Sequence, residues 1–175
     1  MYQVLQGDAT KPEGLGDKNI IIPHVCNDIN AWGAGFVLAL NKAFGPKAKE
    51  SYHFWGDTVD WLSNEADVKI VSPVKHQFML GATQFVRVQP KLVIANMVAQ
   101  SGTGKGIDGR PPIRYGALAF CMDAVAVKAA QFKAEIHCPK FGSDLAGGDF
   151  KIIEQMIKEI WVDSGIDVTV YEWKP

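Results

Sequence analysis

Asn19-Ile20-Ile21-Ile22-Pro23-His24-Val25-Cys26-Asn27-Asp28-Ile29-Asn30-Ala31-Trp32-Gly33-Ala34-Gly35-Phe36 is an apolar run that breaks into a glycine-rich loop. The run up to Cys26 does not alternate with polar residues, which predicts a strand buried on both faces. Beyond the loop, Phe36, Val37, Leu40, Ala43 and Phe44 recur at helical spacing, and Gly45-Pro46 ends that helix. A loop at a helix start presents free backbone N–H groups and the positive end of the helix dipole. Glycine there lets the backbone approach a ligand closely. The pattern recurs at Gly142-Ser143-Asp144-Leu145-Ala146-Gly147-Gly148-Asp149, between a strand-like run at 134–141 and a helical stretch at 150–163. Two such loops at strand C-ends can hold a diphosphate from both sides. The chain therefore reads as a binder of a nucleotide-like diphosphate.

Working outward, residues 2–6 read as a first strand ended by Gly7-Asp8, and 46–55 as a second helix. Residues 69–71, 77–80 and 91–97 read as strands, and the glycine- and proline-rich 100–112 as a loop. Residues 113–132 read as a helix with Leu118, Met122, Val125 and Ala129 on one stripe, and 167–173 as a closing strand. Strands alternating with helices predict an α/β layer structure with a largely parallel sheet. A length of 175 residues fits one domain, 1–175. Such a chain buries about two-thirds of its unfolded surface without needing a disulfide.

The composition, 47% hydrophobic and 21% charged, is that of an ordinary soluble protein. A net charge of -1 argues against a general nucleic-acid binder. Arginine is limited to Arg87, Arg110 and Arg114, so an anionic ligand would rest mainly on backbone groups. Cys26, Cys121 and Cys138 form no CxxC pair, and no metal site is expected. The first ten residues lack the apolar core of a secretory leader, and no run is long enough for a membrane span. These features predict a reduced cytoplasmic protein, or one of the host cytoplasm if virus-encoded, with no membrane partner. Gln100-Ser101-Gly102-Thr103-Gly104-Lys105-Gly106 imitates a phosphate-binding P-loop but lacks its first glycine and its Ser/Thr.

Individual residues carry two readings each. Asn27 and Asn30 are short amides at a strand C-end, able to bind sugar hydroxyls or to cap the turn. His24 is either a core histidine with one satisfied nitrogen or a general acid or nucleophile beside a phosphate. Asp149 is placed to cap the helix that begins at Phe150. Asp144 is less easily given a structural task, and beside an anion a carboxylate is unfavourable unless it acts as a base or is paired. His137 reads as structural. Tyr171 and Trp173 share a strand face; one of them could stack on a purine, although core packing or solvent shielding of the sheet is preferred for Trp173.

The chain resembles a macro domain, the ADP-ribose-binding module, over nearly its whole length. The resemblance rests on Gly7-Asp8, His24 to Gly35, Asn96-Met97-Val98-Ala99-Gln100, Pro111-Pro112-Ile113-Arg114-Tyr115, Pro139 to Gly148, and Val168-Thr169-Val170-Tyr171. It implies a three-layer α/β/α sandwich with a mixed, largely parallel sheet. It also implies that Asp8 and Ala9 hold adenine, with Tyr171 packed on the base. Asn27 and Asn30 would face the distal ribose, and Gly33, Ala34 and Gly35 would line that ribose and the phosphates. Ser143, Asp144, Leu145, Ala146 and Gly147 would form the second phosphate loop. His-x-Cys-Asn followed by Trp-Gly-x-Gly is similar to the branch that includes a phosphatase acting on ADP-ribose-1″-phosphate. That branch implies catalytic roles for His24 and an aspartate, here Asp144, with Asn30 beside the reacting phosphate and no cofactor. Another branch removes ADP-ribose from protein glutamates with a Lys and an Asp, which fall at Met97 and Ala146 here; hydrolysis of mono-ADP-ribose from modified protein or nucleic acid is the second reading. The expected ligands are ADP-ribose, ADP-ribose-1″-phosphate or ADP-ribosylated macromolecules. A non-catalytic reader of ADP-ribose is the third reading.

Overall fold

The computed structural model describes residues 1–58, 66–105 and 109–173. Its elements run β1 (Tyr2–Gln6), β2 (Ile20–Asn27), α1 (Phe36–Phe44), α2 (Lys47–Asp57), β3 (Val68–Val71), β4 (Thr83–Gln89) and β5 (Leu92–Gln100). They continue with α3 (Tyr115–Phe132), β6 (Glu135–Pro139), α4 (Phe150–Met156), a π-helical continuation of α4 (Ile157–Val162), and β7 (Val168–Glu172). Seven strands form one sheet in the order β1-β7-β6-β2-β5-β4-β3. The pairs β1–β7, β7–β6, β6–β2 and β2–β5 are parallel, while β5–β4 and β4–β3 are antiparallel. The sheet is therefore mixed and largely parallel.

The unbroken apolar run makes β2 the middle strand, because a strand with no polar face needs cover on both sides. Ile20 and Ile22 pack with Leu40, Ala48 and Tyr52 of α1 and α2. Ile21, one residue away on the opposite face, packs with Leu118, Met122 and Trp161 of α3 and the α4 continuation. Helices thus cover both faces, which gives the three-layer sandwich. The chain leaves β5, crosses over by α3, and returns as β6 on the far side of β2. Parallel neighbours on both sides of β2 bring the C-ends of β2, β5 and β6 to one edge of the sheet, where α/β proteins place ligands. Among the described residues no helix is long and apolar enough to cross a membrane.

Two sequence expectations fail. Residues 77–80 are not a strand; the strand is β4, immediately after Gly81-Ala82. Phe78, Met79 and Leu80 serve instead as an irregular apolar cover over Trp55, whose ring meets Phe78 edge-on at 5.0 Å. Of the two readings of Trp173, core packing fails, since it is 69% exposed, past the end of β7. Of the expected loop 100–112, Gln100 ends β5 and the other described residues are irregular, while 106–108, with Gly106 of the P-loop imitation, lie outside the described residues.

Because adjacent residues of β2 face different layers, Ile21→Ala and Ile22→Ala should each cost about 2–5 kcal/mol. Urea unfolding of both variants measures this. A cost below about 0.5 kcal/mol, the scale of a surface change, at either site would leave that face of the sheet uncovered.

Candidate functional site

The segments that follow β2, β5 and β6 surround a cleft of about 480 Å³. One wall is Trp32, Gly33, Ala34 and Gly35; the facing wall is Gly142, Asp144, Leu145 and Ala146. His24, Cys26 and Asn27 of β2, together with Gln100, Thr103 and Gly104, complete it. Gly35 has φ 80° and ψ -149°, a backbone that side-chain-bearing residues resist. A Cβ on Gly35 would also lie 3.2 Å from Leu145 Cδ1, so the two loops close on each other at this point. Among the described residues no side chain caps α1, and the Leu38 N–H donates to the Gly35 carbonyl, which leaves the Phe36 and Val37 N–H groups available at the cleft. The second loop is tight because Gly148 N–H donates to the Gly142 carbonyl at 2.8 Å, and a Cβ on Gly148 would sit 2.4 Å from that oxygen. Asp149 caps α4 through the Lys151 N–H at 2.8 Å, so this helix end is already occupied.

The predicted polar side chains are largely engaged inside the protein. Asn27 Oδ1 accepts from the Ile29 N–H at 3.2 Å, the Ala31 N–H at 3.0 Å and the Tyr52 hydroxyl at 3.0 Å. Its Nδ2 donates to the Ala31 carbonyl at 2.8 Å. The Asn30 amide turns to α2, donating to Asp57 Oδ1 at 2.8 Å, and Asn30 is not among the cleft-lining residues. Asp8 Oδ1 closes a turn by accepting from the Thr10 N–H at 2.9 Å and the Thr10 hydroxyl at 2.8 Å. Tyr171 is buried, and its hydroxyl is bonded by His137 Nδ1 at 2.9 Å and the Glu13 N–H at 3.0 Å. Asp8, Ala9 and Tyr171 belong to the β1–β7 side and do not line the cleft, and neither do Ser143 and Gly147. Ser143 donates to the Lys140 carbonyl, and the Gly147 N–H to the Asp144 carbonyl. Asp144 itself is exposed at the cleft.

His24 lines the cleft from beneath, 2% exposed, with Trp32 edge-on to its ring at 5.4 Å. Asn96 Nδ2 donates to the Ala48 carbonyl and to Gln84 Oε1, so its Oδ1 accepts the His24 Nε2–H at 2.6 Å. Burial is the largest influence on the ring and lowers its pKa to about 4, against the smaller pull of Asn96. The ring is therefore neutral near pH 7, with its one proton engaged by Asn96. That arrangement suits a structural histidine and removes the proton a general acid needs.

Some cleft residues escaped the sequence reading. The Trp32 indole is 6% exposed, and its N–H has no partner among the described residues. Lys140 brings a cation to the cleft, paired with Glu172 and 5.0 Å over the Phe150 ring. Its signal was its place directly after a strand and before the glycine loop. Asp28 accepts the Gly102 N–H at 2.7 Å and so joins the β2 loop to the segment after β5. No carboxylate and histidine spacing announced that link.

Neither a protein-family model nor a curated protein matches the chain. Solved structures do match. A Bacteroides thetaiotaomicron protein of unknown function is 42% identical over 98% of this chain and 97% of its own, with a TM-score of 0.83. A macrodomain protein from Streptomyces coelicolor is 35% identical over 98% of this chain and 99% of its own, with a TM-score of 0.76. A Trypanosoma brucei macrodomain in complex with ADP-ribose is 13% identical, with a TM-score of 0.56 over 98% of this chain and 63% of its own, a likeness of fold alone.

The depressed pKa of His24 has a signed consequence. The unfolded chain binds a proton that the folded ring refuses, so stability is full above about pH 6.5 and falls as the pH drops toward 4. Folding free energy from urea titrations should be about 1 kcal/mol lower at pH 5.5 than at pH 7.5 from this group alone. His137, also lowered by burial, acts in the same direction. Equal stability at the two pH values would mean that the His24 ring meets water in the folded state.

Proposed function

The chain belongs to the macrodomain family, and we propose that its cleft binds ADP-ribose and removes the terminal phosphate from ADP-ribose-1″-phosphate. The observation that carries the binding reading is the pair of glycine loops closing on each other at Gly35 and Leu145, at the C-ends of parallel strands. Backbone N–H groups at the start of α1 suit a diphosphate, while the Lys140 cation at the cleft is already paired with Glu172. The low charge of the walls matches an anion held by dipoles rather than by arginines.

In this reading Asp144 is the base. It takes a proton from water as the water oxygen attacks phosphorus. The bond between phosphorus and the ribose oxygen breaks, that oxygen takes up a proton from solvent, and ADP-ribose and inorganic phosphate leave. His24 contributes a neutral, fixed wall and gives no proton. Removal of ADP-ribose from protein glutamate by a Lys and Asp pair has less support, because Met97 and Ala146 are buried and carry neither group. A second reading, binding without turnover, gains from the engagement of Asn27, Asn30 and His24 in internal hydrogen bonds. As a reader the protein would dock ADP-ribosylated macromolecules through the same cleft.

Calorimetry with ADP-ribose, and phosphate release from ADP-ribose-1″-phosphate with chelator present, test both readings. The wild type should bind ADP-ribose and release phosphate. Asp144→Asn should lower turnover by about 100-fold or more while affinity stays within about twofold. Binding without release makes the protein a reader, and absence of binding ends both readings.

A further inference from the structure

Helix α2 holds the first glycine loop by a clasp that lies outside the cleft. Asn30, the hinge of that loop, has φ 59°, a left-handed backbone that asparagine tolerates better than most residues. Its Nδ2 donates to Asp57 Oδ1 at 2.8 Å and to the His53 carbonyl at 3.3 Å. With both amide protons placed, Oδ1 is the acceptor, and His53 Nδ1–H donates to it at 2.9 Å. His53 and Asp57 are four apart and share one face of α2, which is why a single amide reaches both.

Gly56 completes the clasp. A Cβ there would lie 2.4 Å from Asn30 Cγ, 2.6 Å from Nδ2 and 2.7 Å from Oδ1. Glycine in a helix costs about 1 kcal/mol relative to alanine. Here the vacant position is filled by the Asn30 amide. One residue on, the chain enters the Ala31-Trp32-Gly33-Ala34-Gly35 wall of the cleft. Tyr52, on the same helix, donates to the Asn27 carbonyl at 2.6 Å and so fixes the loop at its other end.

We propose that His53 and Asp57 are positioning residues for the cleft, and that Asn30 is their handle on the first loop and not a group that contacts the ligand. This rests on the reading of the cleft as an ADP-ribose site. The ligand would then meet the backbone of residues 31–35, whose place is set from behind by α2. Access of the Asn30 amide to a ligand would require breaking its bonds to both partners.

Gly56→Ala is the decisive variant, because it favours the helix while expelling the Asn30 amide. Thermal stability should hold or rise, ADP-ribose affinity should fall roughly tenfold, and hydrogen exchange of residues 29–35 should accelerate without ligand. Asp57→Leu should match it, and Asp57→Asn, which keeps the acceptor oxygen, should stay near the wild type. Losses in Asn30→Gly and Gly56→Ala should not add in the double variant, since both open one clasp. Wild-type affinity and exchange in Gly56→Ala would overturn the proposal. So would an Asn30→Gly loss that is much larger and adds to that of Gly56→Ala, the result of direct ligand contact. If the wild type binds no ADP-ribose, the functional reading falls, while the exchange of residues 29–35 still decides the clasp.

Discussion

A loop whose backbone is to hold an anion must first be held itself, and Asn27 does this for the β2 loop. One amide ties the Ile29 and Ala31 N–H groups, the Ala31 carbonyl and the Tyr52 hydroxyl. The three backbone groups are donors or acceptors that the tight turn would otherwise leave unpaired, and the Tyr52 hydroxyl, which also donates to the Asn27 carbonyl, ties the turn to α2. Because Asn27 ends the central strand, its own position follows from β2, and β2 is fixed by packing on both faces. The order of causes runs from the isoleucines of β2, through Asn27, to the approach of Gly33-Ala34-Gly35 toward Leu145. A cleft assembled in this order exists before any ligand arrives, so little ordering entropy opposes binding.

A second polar structure backs the first. From His24 a chain of hydrogen bonds passes to Asn96, to Gln84, and from Gln84 to the Ser51 carbonyl of α2. All three side chains are buried, and an unpaired member would be costly in that setting. With every step matched, the chain instead fixes the register of β2, β5 and β4 against α2 at the level of the cleft floor. The three thiols add nothing reactive. Burial pushes the Cys26 and Cys138 thiols up and holds Cys121 at about 12, far from the thiolate form.

What could be read in the sequence was what local pattern controls. The strand at β2, the helix after Gly35, the Asp149 cap and the α/β class with its largely parallel sheet follow from periodicity, capping and glycine placement within a few residues, while the three-layer sandwich came from the family resemblance. The side-chain directions of Asn27, Asn30 and His24 do not, because their partners Tyr52, Asp57 and Asn96 lie 25, 27 and 72 positions away. The strand expected at 77–80 failed for the same reason. Phe78 is drawn to Trp55, a distant contact that overrides the extended preference of a short apolar run.

The outer strands carry a consequence for how the protein is made. Among the described residues β1 pairs only with β7, with Tyr2 beside Val168 and Gln6 beside Glu172. On a ribosome, β1 must wait until β7, a partner distant in the sequence, has emerged. During synthesis its edge is open, while β2 and the helices of its own layer can already assemble. Completion of the sheet is thus a late, long-range closure, the kind of contact that slows folding and lengthens exposure to other chains.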